Sequence, residues 1–247
     1  MQNALLVGLS RQMALGRELD VIANNMANVT TNGFKARASR FASHLMDKAS
    51  ADSFGRGDRK LDYVIDRGTA LDTSTGAIEA TKNPLDVAVK GDGFFAVQTP
   101  AGERYTRNGA FTLDSRGQLV TSDGYAVVGD NGPITFDQNE TNISIAADGA
   151  IASRQSQHGF IKVVRFADAA ALKSDGGNTF SSTAPAQPAG ATSKLESGAL
   201  ERSNVRPVLE MTRLIEVNRA YASIAGMVGR MDELKRTAVS RLADVAN

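Results

Sequence analysis

The stretch from Val205 to Val245 constrains this chain most, because it reads as one long helix. Apolar or small residues recur at Leu214, Val217, Tyr221, Ile224, Val228 and Met231, in alternating steps of three and four. The stripe continues through Ala238, Leu242 and Val245, with Lys235 as the misfit and Leu234 beside it. This a/d heptad spacing is the pattern of a helix packed along another helix. Arg213, Glu216, Arg219, Arg230, Glu233 and Arg236 fall between the seam positions and suit a solvated or interfacial flank. At 1.5 Å per residue, roughly 40 residues make a rod about 60 Å long. One small domain cannot cover such a rod, so the seam needs a partner helix. A helix capping an ordinary domain is the plainer alternative.

The N-terminus mirrors this pattern. Leu5, Leu9, Gln12, Gly16, Leu19, Ala23 and Met26 step by four and three, and Leu15 and Ile22 widen the stripe. The spacing predicts a second helix from about Asn3 to Asn28. Gly8 and Gly16 each weaken it by about 1 kcal/mol relative to Ala, so its stability must come from packing its apolar face. Two seams at opposite ends of one chain suggest mutual pairing, within the molecule or between copies. The helix stops at Asn28-Val29-Thr30-Thr31-Asn32-Gly33, where Asn and Gly supply left-handed conformations. Asn24, Asn25 and Asn28 crowd its last turns although Asn is a poor interior helix former. These amides are expected to bond to neighbouring segments, since an unsatisfied amide in a packed seam is costly. A simple frayed end is the alternative.

Between the helices, residues 36–80 are the least patterned. Ala36 to Lys48 is expected to form a short helix, with Phe41, Leu45 and Met46 among basic residues. Ala51 to Lys60 reads as a surface connection and Leu61 to Ile65 as a strand. From Leu85 to about Ala167 the period becomes two, seen at Val87 and Val89, Phe95 and Val97, and Phe111 and Leu113. Closely spaced turns such as Asn108-Gly109, Asp123-Gly124 and Asp130-Asn131-Gly132 favour hairpins of an antiparallel sheet or small barrel. Phe160 to Phe166 is expected to be one buried strand. Ser181 to Thr192 returns extended toward the last helix. Ser203-Asn204 is expected to cap that helix, with Pro207 tolerated in its first turn. The fold class is therefore α+β. Long terminal helices form a coiled-coil-like pair, and the middle of the chain is antiparallel and β-rich. The boundaries expected are 1–34 for the first assembly helix, 35–82 for the connection, 83–196 for the β-rich domain and 197–247 for the last helix.

Composition narrows the chemistry. Lys plus Arg number 28 against 27 acidic residues, a formal net charge of +1, which gives no electrostatic case for nucleic acid or an anionic membrane. With no Cys there is no disulfide, thiolate metal site or Cys nucleophile. His44 and His158 lie far apart without ligand-like spacing, so no metal is expected. Gly91-Asp92-Gly93 lacks the continuation of a phosphate loop. The turn aspartates Asp123 and Asp130 lack calcium-loop spacing, and Gly8-Leu9-Ser10-Arg11-Gln12 is no nucleophile elbow. No catalytic residue or cofactor is expected. No run approaches the roughly 20 apolar residues that span a bilayer. Arg11 and Arg17 interrupt the first apolar stretch, so neither membrane insertion nor a cleaved signal peptide is expected.

Three ordered motifs carry a family resemblance. Ala23-Asn24-Asn25-Met26-Ala27-Asn28-Val29-Thr30-Thr31-Asn32-Gly33-Phe34-Lys35 resembles the N-terminal signature of bacterial flagellar rod and hook proteins. Asn83-Pro84-Leu85-Asp86-Val87-Ala88-Val89, followed by Gly91-Asp92-Gly93-Phe94-Phe95, resembles the opening of their central β region. Gly198-Ala199-Leu200-Glu201-Arg202-Ser203-Asn204-Val205, then Glu210-Met211 and Arg219-Ala220-Tyr221, resembles their C-terminal signature. The resemblance implies a structural subunit of the basal-body rod, in a tube that crosses the periplasm with terminal helices inside and the β domain outside. Its implied partners are other copies of itself, other flagellar rod proteins and the flagellar type III export apparatus. The expected assembly residues are Leu5, Leu9, Leu19, Ile22, Asn24, Asn25, Met26, Asn28, Gly33 and Phe34 at one end. At the other end they are Ser203, Asn204, Val205, Leu214, Val217, Tyr221, Ile224, Val228 and Met231. A distal-rod or hook subunit of the same family, or a soluble binding module whose terminal helices close on each other, is the remaining alternative.

Overall fold

The apolar spacing at the two ends becomes helix in the computed structural model of this chain, which describes residues 2–46, 61–137, 140, 142–168, 172–190 and 193–245. Helix α1 spans Gln2–Ala27. Two long strands follow, β1 (Arg37–Met46) and β2 (Leu61–Leu71), paired as a two-stranded sheet. The short helix expected over Ala36 to Lys48 is instead a strand over Arg37–Met46, and the surface connection expected over Ala51 to Lys60 lies outside the described residues. The apolar residues of β1 are too few for a helical stripe, and pairing with β2 satisfies its backbone.

The next strands are β3 (Ile78–Ala80), β4 (Val87–Lys90), β5 (Phe94–Thr99), β6 (Gly102–Thr106), β7 (Phe111–Leu113), β8 (Leu119–Thr121) and β9 (Ala126–Gly129). After them come β10 (Gly132–Pro133), β11 (Ser144–Ile145), β12 (Ala150–Ala152), β13 (Gln157–Phe160), β14 (Val163–Arg165), β15 (Leu172–Gly176) and β16 (Thr179–Ser182). The series closes with β17 (Gln187–Pro188), β18 (Lys194–Ser197) and β19 (Ala199–Glu201), and helix α2 spans Pro207–Val245. Strands β15, β16, β6, β5, β9, β8 and β7 lie side by side in the largest sheet, with β10, β14 and β17 attached to it. The smaller sheets are β11-β12-β13, β18-β4 and β19-β3. Pairing within these is antiparallel, as the closely spaced turns predict.

Phe94 and Phe95 explain how the sheet is covered. Consecutive strand residues point to opposite faces. Phe95 joins a core with Val87, Val89, Phe111, Leu119 and Ile151, whereas Phe94 joins a second with Val164, Leu172 and Phe180. Phe95 meets Phe111 edge-on at 5.1 Å, and Phe94 meets Phe180 at 5.8 Å. Strand β5 is buried on both faces, which accounts for its unbroken apolar run. The single strand expected over Phe160 to Phe166 is instead two. Strand β13 pairs with β12, β14 pairs with β5, and Phe160 at the break is exposed. The residues at 161–162 turn the chain from one sheet to the other, a step that alternation alone cannot predict.

The chain divides into two compact units. One comprises residues 27–36 and 71–206, and the other residues 1–26, 37–70 and 207–247. The first of these units, the β unit, holds the end of the N-terminal signature and the start of the C-terminal one. Among the described residues no helix is long and apolar enough to cross a membrane.

Candidate assembly interface

The signature motifs converge in the β unit. Gly33 closes the turn after α1 with φ of +66° and donates its N–H to the Glu201 carbonyl at 2.7 Å. A Cβ at Gly33 would lie 2.4 Å from the Arg107 carbonyl carbon, so the backbone can come this close only without a side chain. Phe34, two residues before Ala36, is buried, and its carbonyl accepts from the Asn204 N–H. Asn204 Oδ1 accepts from the Ala36 N–H at 2.7 Å, and Nδ2 donates to the Asp72 and Ser74 carbonyls. Asn204 therefore does not cap α2 as expected. Its amide does more in the junction, because it satisfies three backbone groups from two separate segments. Helix α2 starts at Pro207, whose missing N–H costs nothing in a first turn, and Glu210 favours the helix N-terminus electrostatically. The second motif enters here too, because Gly198 donates its N–H to the Asp86 carbonyl at 2.7 Å.

Beneath these bonds lies a buried charge cluster. Lys35 Nζ approaches Glu201 Oε1 at 2.7 Å and donates to the Ser74 carbonyl at 2.6 Å. Arg107 Nη1 faces Glu201 Oε2 at 3.5 Å and donates to the Val89 carbonyl at 3.1 Å, while Nη2 donates to the Gly91 carbonyl. The Arg107 guanidinium also covers the Phe94 ring at 5.1 Å. All three side chains are essentially inaccessible to solvent. Burial pulls the Lys35 ammonium below its ordinary pKa, with Glu201 opposing. Arg107 is lowered for the same reason, with Glu201 and Asp92 opposing. One carboxylate thus serves two buried cations. At the rim, Arg202 spans Glu79 at 2.7 Å and the Asn32 side chain at 2.9 Å.

The helices pair within the other unit. A Cβ at Gly8 would meet Val228 Cγ2 at 2.9 Å, and one at Gly16 would meet Tyr221 at 3.8 Å. Gln12 donates to the Tyr221 hydroxyl, Arg213 pairs with Glu18 at 2.7 Å, and Asn25 reaches Glu210 at 3.5 Å. Residue numbers on α2 fall as those on α1 rise, so the two helices run antiparallel. Asn25 also exchanges two 2.9 Å hydrogen bonds with the Arg37 backbone, which ties the start of β1 to α1. This is the cross-segment bonding expected of the crowded amides.

The expected assembly residues separate into groups. On α2, Val217 is buried and Leu214, Tyr221, Ile224, Val228 and Met231 are half-buried, all along the side toward α1. On α1, Ile22 and Asn25 are buried and Leu5, Leu19 and Met26 half-buried, but Leu9, 44% exposed, and Asn24 face solvent. The stripe facing α2 is therefore turned toward Gly8, Leu15 and Ile22, because the missing side chain at Gly8 allows the closest approach. Asn28 stays at the helix end, where its side chain accepts from the Thr31 hydroxyl. Gly33, Phe34 and Val205 are buried and Ser203 and Asn204 half-buried, all at or beside the intrachain junction. Sequence reading missed Lys35, Glu201 and Arg107 as a set. The only signal was the presence of ionic residues inside otherwise apolar or turn-forming motifs.

Comparison with known proteins completes the site. The model described as "Flagella basal body rod protein" matches residues 5–35. The flagellar hook protein FlgE/F/G D1 domain matches residues 88–153, and the flagellar basal body rod FlgEFG protein C-terminal model matches residues 196–241. The flagellar basal-body rod protein FlgF of Caulobacter vibrioides is 40% identical over 247 residues, covering 99% of this chain and 100% of its own length. FlgF of Mesorhizobium japonicum is 36% identical over 92% of each chain. FlgG of Bacillus subtilis is 35% identical over 97% of this chain and 99% of its own. The three matched segments hold most of both helices and Gly33, Lys35, Arg107, Glu201 and Asn204 of the junction, and the chain belongs to the flagellar basal-body rod protein family.

Proposed function

We propose that this chain is a structural subunit of the flagellar basal-body rod, not an enzyme, and that it polymerises through its terminal helices. The observation that carries the polymerisation is the helix pair. Its inward seam is partly covered, while Leu6, Leu9, Met13, Val208, Met211 and Ile215 stand exposed on the outward faces. Large exposed apolar patches mark interaction surfaces. Other rod proteins and further copies of the chain are the partners. The resemblance favours a position in the proximal rod and export through the flagellar type III apparatus, which a chain without Cys enters with no disulfide to obstruct it.

Helix ordering accompanies assembly in this reading. Helix α1 carries Gly8, Gly16 and three Asn residues, and few of its side chains are fully buried. A helix of this composition gains most of its stability from packing, so the neighbouring subunits complete it. The ordering cost, a few kcal/mol, is offset by the new contacts and delays premature polymerisation. Hydrogen exchange on the purified monomer and on isolated basal bodies tests the proposal. Fast exchange over residues 3–28 and 208–245 in the monomer, with strong protection in the rod, is expected. Equal protection in both states would sink folding on assembly, and absence of the protein from basal bodies would sink the rod assignment. A distal-rod position is the second reading, supported by the near full-length similarity to FlgG. Deleting the gene and identifying the last rod segment that still assembles separates the two positions.

A further inference from the structure

Residues 194–204 stitch together parts of the β unit that lie far apart in the chain. Among the described strands, β4 pairs with β18 alone and β3 with β19 alone. Leu195 enters the core beside Val87 and Val89, and Ala199, Leu200 and Glu201 are buried in succession. The Gly33 and Thr81 amides, on separate segments, donate to the Glu201 and Gly198 carbonyls at 2.7 Å each. These contacts reach far back along the chain. The Ser197 hydroxyl donates to the Pro84 carbonyl 113 positions earlier, and Asn204 accepts from the Ala36 N–H 168 positions earlier. By contrast, β5 and β6 pair across a tight turn, from Thr99 with Gly102 to Phe95 with Thr106.

We propose that residues 194–204 are a closing strap, the last part of the β unit to dock, and that the N-terminal signature stays unanchored until they do. Two physical costs set this order. Closing a long loop costs more chain entropy than closing a hairpin, so pairings between distant residues form slowly. The second cost is electrostatic. Lys35 and Arg107 are both buried against Glu201, and before it arrives a closed site would hold two cations without their nearest counter-charge. Burying unpaired charge is expensive, so Lys35 keeps residues 33–36 open to water. The strap follows almost the whole β unit in sequence and immediately precedes α2. A chain emerging N-terminus first therefore completes its junction only when nearly all of it is present. Residues 33–36 follow α1 and residues 202–204 precede α2, so closure also brings together the segments that lead to both helices. The bearing of this on assembly rests on the reading of the chain as a rod subunit. A subunit whose synthesis is incomplete does not present its paired helices.

Pulsed hydrogen exchange during refolding of the purified full-length chain from urea gives the order. Amides of β5 and β6 are expected to gain protection roughly tenfold or more sooner than those of Gly33, Thr81 and Gly198. Helix α1 should gain protection no earlier than Gly33. Protection of all these amides in one step, or of the strap-bonded ones first, would overturn the inference. A covalent variant supplies a second test, because the chain has no Cys. Lys90 and Lys194 are direct ladder partners and both are exposed, and such pairs lie within disulfide range. Lys90→Cys with Lys194→Cys, oxidised in the folded state and then unfolded in urea, keeps the strap beside β4. On refolding, this chain should protect Gly33 and Thr81 roughly tenfold or more faster than the same variant with reductant, while β5 and β6 keep their rate. Equal or slower protection in the oxidised chain would overturn the inference. Both tests run on the purified chain, whereas the rod reading fails if basal bodies lack the protein, so the two failures are distinguishable.

Discussion

Glu201 carries more consequence than any other single residue. It faces Lys35 at 2.7 Å and Arg107 at 3.5 Å, and its Oε1 also accepts from the Gly76 N–H at 2.9 Å. Glu201→Gln keeps the shape but leaves two buried cations without a counter-charge. Removing one partner of a buried pair costs about 3–5 kcal/mol, and urea unfolding of the purified variant should show a loss of that order. Lys35 gives a pH dependence of definite sign. Burial lowers its pKa in the folded chain below the ordinary 10.5, so the unfolded chain holds this proton to higher pH. Stability contributed at this site therefore rises with pH through the window between the lowered value and 10.5. The native chain should gain on Lys35→Met as urea melts move from pH 7 toward pH 10, and a flat or falling difference would contradict the assignment. Neither effect was legible in the sequence. Lys35 and Glu201 are 166 positions apart, and each looks there like an ordinary charged residue within a motif.

At the scale of elements, the helices were legible because their signal is local. Spacing of three and four residues follows from 3.6 residues per turn, and α1 and α2 end within a few residues of their expected limits. The facing side of α1 was less legible. Leu9 belongs to the apolar stripe yet is exposed, and Gly8 beside it is buried. The contact side is chosen by close approach, and a small residue wins there over a larger apolar one. Glycine replacements on the purified chain test this. Gly226→Ala and Gly229→Ala, where an added Cβ meets nothing within 4 Å, should each stabilise α2 by up to about 1 kcal/mol through helix propensity. Gly8→Ala brings the same propensity gain but places a methyl 2.9 Å from Val228 Cγ2. The β-branched valine has little rotamer freedom to yield. Gly8→Ala should therefore lower the helix melting temperature, read by circular dichroism, while the other two raise it.

At the scale of the molecule, the two units differ in how much apolar surface they bury. The β unit holds two core clusters around β5 and the ionic junction. In the other unit the buried side chains among the described residues are Ala14, Ile22, Asn25 and Val217. Calorimetry of the purified chain should therefore resolve two transitions, the lower one belonging to the helical unit, since multi-domain chains depart from two-state unfolding. Glu201→Gln should move the upper transition and leave the lower one nearly in place. A single transition that moves as a whole would contradict separate unfolding of the two units.

The sequence by itself determined the α+β class, the two helices, the antiparallel middle and the family, because periodicity, turn chemistry and ordered motifs are properties of neighbouring residues. It also excluded disulfides by the absence of Cys. Tertiary structure alone decided what depends on residues distant in the chain. It turned α1 so that Gly8 rather than Leu9 faces α2, and made a strand of Arg37–Met46 through its partner β2. It split Phe160 to Phe166 between two sheets and drew Asn204 from a helix cap into the junction. In each case the local preferences differ by about 1 kcal/mol or less, and a single long-range packing or hydrogen-bonding contact is enough to override them.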